Sequence, residues 1–421
     1  MQIISRTTPL LRLVGVLLVV AALPGCTSQL PAAIPTSAPA GTGAPAPTAQ
    51  PKATPAPQAT AAPEATTEPA ATSAPAADAV LPAPLYLLNN QQQIVRLERD
   101  GATVAVISQE SAPIVQMAVS PADGTIIYVV QQDKGGALVS TDARGGNRAE
   151  LASGIISSPL WSRDGQRYAI SWLNGPEGSG VYGGKPSEKP GLLIASIPFD
   201  AEAQKPGMHY VPQAFSPDGT QLLLATAPDN GPDAPAGDIS VLGAAVLGSD
   251  GKVAELVGTG GNPYMCFSAL WSSDGSQVLC SSYGAFNGQP ALWSMPATGG
   301  EPKILLAAGE DNGQADVFSP IAAGNNILAL VGVNPANASS ISYTLQQIDA
   351  SGAMRKMRDE QLDSTAVIWS AWAPDASGIV IQRTGSDPNQ NTFVYLPASD
   401  AAAVELKLSG QGTPVWGAPN T

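Results

Sequence analysis

Short apolar runs bounded by glycine, proline and polar turn residues recur along residues 84–421. Each run is continuous rather than alternating, with examples at residues 126–130, 222–224, 327–330 and 379–381. Runs of this length are typical of strands buried on both faces between stacked sheets. A second pair of strands is predicted after each run, around residues 138–139, 192–194, 244–246, 292–293, 343–345 and 393–395. The pattern therefore predicts about four strands in each copy.

A short motif accompanies these runs: an aromatic or aliphatic residue, a small residue, one or two variable positions, Asp and Gly. Full copies begin at Val119, Trp161, Phe215 and Trp271, and degraded copies begin at Phe318, Trp372 and Trp416. Successive copies start 42 to 56 residues apart. This spacing is the length of one propeller blade.

The motif has the composition of a tight turn. Ser at its first turn position, Pro at the second and Gly at the fourth favour a type I turn that closes a hairpin. We expect the Asp to accept hydrogen bonds from local backbone N–H groups. A metal or catalytic role repeated in every copy is the less favoured alternative.

The two ends of the repeat region complete each other. Residues 85–88, 94–97 and 103–106 are predicted as the second, third and fourth strands of a blade that lacks its first strand. Residues 414–416 are predicted as a first strand with nothing after it, and pairing the two ends would remove exposed sheet edges. The sequence thus predicts an all-β, seven-bladed β-propeller of four-stranded blades over residues 84–421. Six blades are the alternative if the copy at Phe318 or the terminal piece forms no blade.

These repeats resemble those of the TolB-like and WD-repeat-like propellers over nearly all of residues 84–421. TolB carries an α/β domain before a six-bladed propeller, whereas a tether stands in that place here. Some propellers of this superfamily are lyases with a His-coordinated metal, and others precede a hydrolase domain. This chain has one His, His209, predicted on an outer strand in a structural role, and it has no G-x-S-x-G sequence. We therefore expect no enzyme, no cofactor and no metal.

The first 83 residues have a different composition. Residues 1–25 combine Arg6 and Arg12 with an apolar run too short to span a bilayer, which needs roughly 20 residues, and they are typical of a secretory signal peptide. The following Cys26 resembles a bacterial lipoprotein lipidation site; an incidental Cys of a secreted protein is the alternative. Of the 50 residues 31–80, 40 are Pro, Ala, Thr or Ser, so residues 26–83 are predicted to be a disordered tether.

The charge balance limits the partners. With 20 Lys and Arg against 34 Asp and Glu, the formal charge is −14. This argues against nucleic-acid binding, which needs clustered cations. Only 13% of residues are charged, while Gly (43) and Pro (39) are abundant, which argues against a helical bundle.

Candidate functional residues fall in two groups. Cys266 and Cys280 flank a predicted turn, so they are either a cross-strand disulfide or two buried free thiols. The long connections between second and third strands, residues 174–190, 227–238, 283–290, 333–340 and 384–391, gather on one face of a propeller. They or their flanking residues carry the candidate binding residues Trp172, Tyr182, Asp229, Asp233, Asp238, Tyr283 and Phe286. The three Asp residues would offer oxygen ligands for Ca²⁺, but the D-x-D-x-D-G pattern is missing.

The sequence therefore predicts a monomeric, lipid-anchored, extracytoplasmic propeller, periplasmic or at the cell surface. We expect it to bind a protein, peptide or glycan through its loop-rich face, unless those loops only cap the channel. A carboxylate-dependent hydrolase or lyase at the channel mouth and a scaffold subunit of an envelope complex are the alternatives.

Overall fold

The computed structural model describes residues 79–203, 205–229, 243–257, 266, 268–281, 285–286, 290–307, 314–334, 342–360, 362–363, 369–383, 392–408, 410–419 and 421. Cys26, the predicted signal peptide and residues 26–78 of the predicted tether lie outside this part of the chain. The secondary-structure elements of the described residues are all β-strands. The same residues contain no helix that is long and apolar enough to cross a membrane.

The strands of the first half are β1 (Leu85–Leu88), β2 (Ile94–Leu97), β3 (Val104–Val106), β4 (Ile114–Val119), β5 (Ile126–Gln132), β6 (Gly135–Thr141), β7 (Ala149–Trp161), β8 (Tyr168–Gly175), β9 (Gly178–Gly184), β10 (Gly191–Ala195), β11 (Gly207–Phe215), β12 (Leu222–Asp229), β13 (Gly243–Leu247) and β14 (Val253–Val257). Those of the second half are β15 (Ser268–Trp271), β16 (Gln277–Ser281), β17 (Ala285–Phe286), β18 (Pro290–Pro296), β19 (Lys303–Ala307), β20 (Gln314–Ala323), β21 (Asn326–Asn334), β22 (Ser342–Ile348), β23 (Met354–Lys356), β24 (Leu362–Asp363), β25 (Ser370–Trp372), β26 (Gly378–Arg383), β27 (Thr392–Pro397), β28 (Val404–Leu406) and β29 (Gln411–Trp416).

One sheet is built from both ends of the repeat region. Its strand order is β29-β1-β2-β3, and we call it the closing sheet. Tyr86 pairs with Val415 and Leu85 with Trp416 across the junction. The predicted pairing of the two ends is therefore confirmed.

The other sheets are antiparallel and follow the order of the chain. We name four of them after their first long strand: the β11 sheet (β11 to β14), the β15 sheet (β15-β16-β18-β19), the β20 sheet (β20 to β23, with β17 beside β20 and β24 beside β22) and the β25 sheet (β25 to β28). The remaining long sheet has seven strands, β4 to β10, because β7 continues from one four-stranded unit into the next. Residues 149–154 of β7 pair with β6, and residues 155–161 pair with β8.

The first strands of successive units are neighbours. β4 contacts β7, β7 contacts β11, β11 contacts β15, β15 contacts β20, β20 contacts β25, β25 contacts β29 and β29 contacts β4. Apolar layers fill the spaces between the sheets, as where Tyr86 and Ile94 of the closing sheet pack with Ile126 and Tyr128 of the long sheet. Burial of this kind stabilises the fold by about 25 cal/mol for each Å² of apolar surface removed from water.

The repeated motif closes each first hairpin. Gly165 donates its N–H to the Ser162 oxygen, and Gly219 and Gly275 make the same bond to Ser216 and Ser272. The three glycines have φ of 67°, 68° and 73°, a conformation that side chains other than glycine's rarely adopt. The predicted turns are therefore present where the motif is complete.

The lead tryptophans of the motif join neighbouring units. Each indole N–H group donates a hydrogen bond to a backbone oxygen in the first strand of the preceding unit. The pairs are Trp161 to Ala118 (3.2 Å), Trp271 to Ala214 (3.1 Å), Trp372 to Ser319 (2.6 Å) and Trp416 to Ala371 (3.0 Å). Phe215 and Phe318 have no such donor. The motif thus encodes contacts between units as well as turns within them.

Candidate binding face

The up-and-down strand order divides the connections between two faces. Connections from second to third strands, and from each unit to the next, lie at one end of the strands, which we call the connection face. Turns from first to second and from third to fourth strands lie at the other end, which we call the turn face. The predicted binding loops belong to the connection face.

A cavity of about 370 Å³ lies among the first strands of the β15, β20 and β25 sheets. Its lining consists of one indole, one phenyl ring, one valine and four serines: Trp369, Phe318, Val317, Ser268, Ser281, Ser319 and Ser370. Trp369 is 38% exposed, which is unusual for a large apolar side chain at a cavity. Sequence reasoning missed Trp369, although its position just before the strand that ends at Trp372 is readable from the repeat.

The polar groups of this cavity are neutral hydroxyls. The Ser370 Oγ is shielded from water and has no hydrogen-bond partner among the described residues. The Trp369 backbone oxygen accepts a hydrogen bond from the Gln382 N–H at 2.7 Å, which fixes the start of β25 against β26. Hydroxyls donate and accept, and an indole face offers apolar contact area, so the cavity suits a ligand with both apolar and neutral polar groups.

His209 does not lie where the sequence suggested. It belongs to β11, the first strand of its unit, rather than to an outer strand, because the chain enters the β11 sheet at Gly207. Its Nε2 lies 3.6 Å from Oδ2 of Asp229, which also accepts the Phe199 N–H at 3.2 Å. Asp233 and Asp238 lie outside the described residues, so their place on the binding face stays a prediction.

The prediction that Trp172 and Tyr182 lie exposed on or beside a binding loop is wrong. They lie in β8 and β9, with exposed fractions of 8% and 0%, and their ring centroids are 5.0 Å apart. Residues 174–190 look like a loop because they are rich in Gly and Pro, yet most of them form a hairpin. A Cβ atom on Gly175 would lie 2.7 Å from the Tyr182 hydroxyl, so glycine here makes room for an aromatic ring.

The other candidate residues have different outcomes. Tyr283 lies outside the described residues, and Phe286 belongs to β17, which pairs with β20. Cys266 and Cys280 form a disulfide, with Cα atoms 5.1 Å apart and both residues buried. Their sulfurs lie in the apolar layer between the β11 and β15 sheets.

The Asp residues of the motif are used within their turns. Oδ1 of Asp164, Asp218 and Asp274 accepts the hydroxyl of the Ser two residues earlier, at 2.6 Å in each case, and a backbone N–H two residues later. The Ser hydrogen bond is the main reason that the pKa of each carboxyl lies below its ordinary value. These contacts support the structural interpretation of the motif. Within the part of the chain that the structure describes, there is no group of three metal-ligating side chains.

Comparisons with known proteins give structural likeness only. Neither a family model nor a curated protein matches the sequence. The tricorn protease structure matches at 10% identity and a TM-score of 0.52, over 79% of this chain and 35% of that one. An oligogalacturonate lyase in complex with manganese matches at 11% identity and 0.51, over 76% and 84%. A putative TolB from Agrobacterium tumefaciens matches at 15% identity and 0.40, over 67% and 88%.

At such low sequence identities, these likenesses concern the fold alone, and the activities of those proteins are not assigned to this chain. The two likenesses with TM-scores above 0.5 agree with the strand topology. The chain is a β-propeller with four-stranded blades.

Proposed function

We propose that the chain is a non-enzymatic, extracytoplasmic binding propeller, anchored to a membrane by a lipid on Cys26, which recognises a protein, peptide or glycan through its connection face. The leader with Arg6 and Arg12 and the Cys at its end support the anchor. The Pro- and Ala-rich residues between Cys26 and the propeller support a spacer function.

We further propose that the ring has seven blades. Division of the long sheet within β7 gives two four-stranded units, which join the closing sheet and the four sheets named after β11, β15, β20 and β25. The apolar cores support the same count, because the described residues form seven separate clusters that lie between neighbouring units. The unbroken circle of contacts between first strands also supports it.

The Trp369 cavity is the observation that carries the binding role. An indole that is 38% exposed beside four serines at the inner edge of three sheets leaves apolar area in contact with water. Exposed aromatic side chains in concave sites are frequent anchors for ligands. A bound ligand would cover this indole.

The test is an array of peptides and glycans probed with the full chain and with two variants. Trp369→Ala removes the indole, and Leu193→Ala removes a side chain of similar exposure, 41%, from the outer strand β10. We expect array binding by the native chain and by Leu193→Ala, and loss of at least tenfold in affinity for Trp369→Ala. Equal binding by all three proteins would contradict the proposed site. No binding at all by the native chain would contradict the glycan and peptide versions of the proposal.

A further inference from the structure

A second cavity lies on the turn face, away from the proposed connection-face site. It has a volume of about 650 Å³ and lies between the turn ends of the β15 sheet and the β20 sheet. Roughly 300 to 1000 Å³ is the usual size of small-molecule sites. One wall is the turn of Asp274, and the opposite wall is the β20–β21 hairpin with Gly324 at its tip.

The cavity exists because one copy of the repeat is degraded. In complete copies the turn glycine packs on the turn of the preceding unit: a Cβ atom on Gly165 would lie 2.5 Å from the Ser120 hydroxyl, and one on Gly275 would lie 3.2 Å from Pro217. The copy at Phe318 lacks the Asp-Gly pair, and its hairpin turns at Gly324 instead. A Cβ atom on Gly324 would meet nothing within 4 Å. The contact that closes the turn face elsewhere is therefore missing here.

The lining is polar at the rim and aliphatic at the floor. Leu279, Leu305 and Ile327 are buried below the rim. The rim carries neutral hydroxyl and amide groups from Ser272, Ser273, Ser276, Ser294, Gln277, Asn325 and Asn326. No aromatic residue is among the residues that line this cavity. A ligand that fits must therefore present many neutral hydrogen-bonding groups and a small aliphatic face.

Two charged groups complete the rim. Oδ1 of Asp274 accepts the Ser272 hydroxyl and both the N–H and hydroxyl of Ser276, at 2.6 to 3.0 Å. Oδ2 has no partner among the described residues, so the carboxylate keeps one strong acceptor for a ligand. The Lys303 ammonium group already donates to the Ala350 oxygen at 2.6 Å, across the outer end of the cavity.

We infer that this cavity binds a neutral oligosaccharide of two to four sugar units. Sugar hydroxyls donate and accept as the serine, asparagine and glutamine groups do, and the C–H faces of pyranose rings match the aliphatic floor. An anionic ligand is not favoured, because the lining carries one cation, Lys303, and one carboxylate, Asp274, so that it has no net positive charge. The concave shape favours a small molecule over a flat protein surface.

Isothermal titration calorimetry of the full chain with maltotetraose, cellotetraose and chitotetraose tests this inference, with tetragalacturonate as the charged comparison. We expect at least one neutral tetrasaccharide to bind with a Kd below ~1 mM and tetragalacturonate to bind more weakly. Asp274→Asn and Asn325→Ala should each weaken binding about tenfold, since each loses a hydrogen bond to the ligand. Asp218→Asn is the matched control, because Asp218 makes the same turn contacts in a complete copy.

The outcomes separate this site from the connection-face site. Leu193 lines neither cavity, so Leu193→Ala should leave tetrasaccharide binding unchanged. The inference is overturned if no neutral tetrasaccharide binds, if tetragalacturonate is preferred, or if Asp274→Asn and Asp218→Asn weaken binding equally. Loss of binding in Trp369→Ala alone would assign the sugar to the other cavity and would also overturn it.

Discussion

The indole N–H of Trp416 donates a hydrogen bond of 3.0 Å to the backbone oxygen of Ala371. Trp416 is in the first strand of the closing sheet, and Ala371 is in the first strand of the β25 sheet. The last copy of the motif therefore holds the closing sheet to its neighbour with the bond that Trp271 makes to Ala214. The two ends of the repeat region are therefore joined to the β25 sheet by the same kind of hydrogen bond that joins the β15 sheet to the β11 sheet.

Replacing Trp416 with Phe should destabilise the propeller. The change removes the N–H donor and leaves a partly unfilled space, so we expect the free energy of unfolding to fall by about 1–3 kcal/mol. Chemical denaturation followed by fluorescence or circular dichroism measures this. Trp271→Phe should cost a similar amount, whereas Trp369→Phe, at an exposed site, should cost about 0.5 kcal/mol or less. Equal small losses in all three variants would show that the hydrogen bonds between units contribute little.

Gly352 should tolerate no side chain. Its φ is 89°, and a Cβ atom there would lie 1.9 Å from the backbone oxygen of Leu305 in the preceding unit. Gly251 occupies the corresponding turn of the β11 sheet with φ of 76°, and a Cβ atom there would meet nothing within 4 Å. We expect Gly251→Ala to cost about 1 kcal/mol from backbone strain and Gly352→Ala to cost about 2–4 kcal/mol. Equal costs, measured by denaturation, would remove the steric part of this explanation.

The disulfide should stabilise the β15 sheet. Cys266 and Cys280 are 14 residues apart, and closing a loop of that size stabilises a fold by about 3 kcal/mol. We expect a mass increase for two alkylated thiols only after reduction, and a lower melting temperature in dithiothreitol. Cys266→Ala and Cys280→Ala should each match the reduced native chain. Free thiols that react without reduction would contradict the bond.

Acid should weaken the motif turns. The Ser272 hydroxyl and the Ser276 groups lower the pKa of Asp274 to about 2, from an ordinary 3.8. A carboxyl with a depressed pKa stabilises the folded chain fully above its unfolded pKa and loses that contribution as the pH falls towards the folded pKa. The difference in melting temperature between the native chain and Asp274→Asn should therefore be constant above about pH 5 and shrink between about pH 4 and 2. Ser272→Ala should show the same pH dependence, and a difference that grows on acidification would refute the assignment.

Much of the architecture was readable because the repeat marks turns by chemistry. The Ser, Asp and Gly positions place the first hairpin of each unit, and the unmatched strands at the two ends imply their pairing. Burial was harder to read: the Gly-rich stretch after Trp172 indicates a loop, whereas Gly175 makes room for Tyr182 and Gly184 makes room for Tyr168. Glycine required for close packing and glycine required for a turn look alike in a sequence.

The site residues were less accessible to prediction. The position of Trp369 at a cavity depends on which strands lie next to it in the fold. The turn-face cavity depends on contacts that the β20–β21 hairpin does not make. Such an opening between units is a property of two neighbours together. A search for chemical motifs within one segment therefore cannot find it, although the degraded copy at Phe318 marks its place.

Strand β7 runs unbroken for 13 residues and pairs with β6 along its first part and with β8 along its second. Two neighbouring four-stranded units consequently share one backbone without an intervening loop. Neither can open without loosening an edge of the other, so amide hydrogens on both sides of Gly154 should exchange with solvent in a single cooperative event.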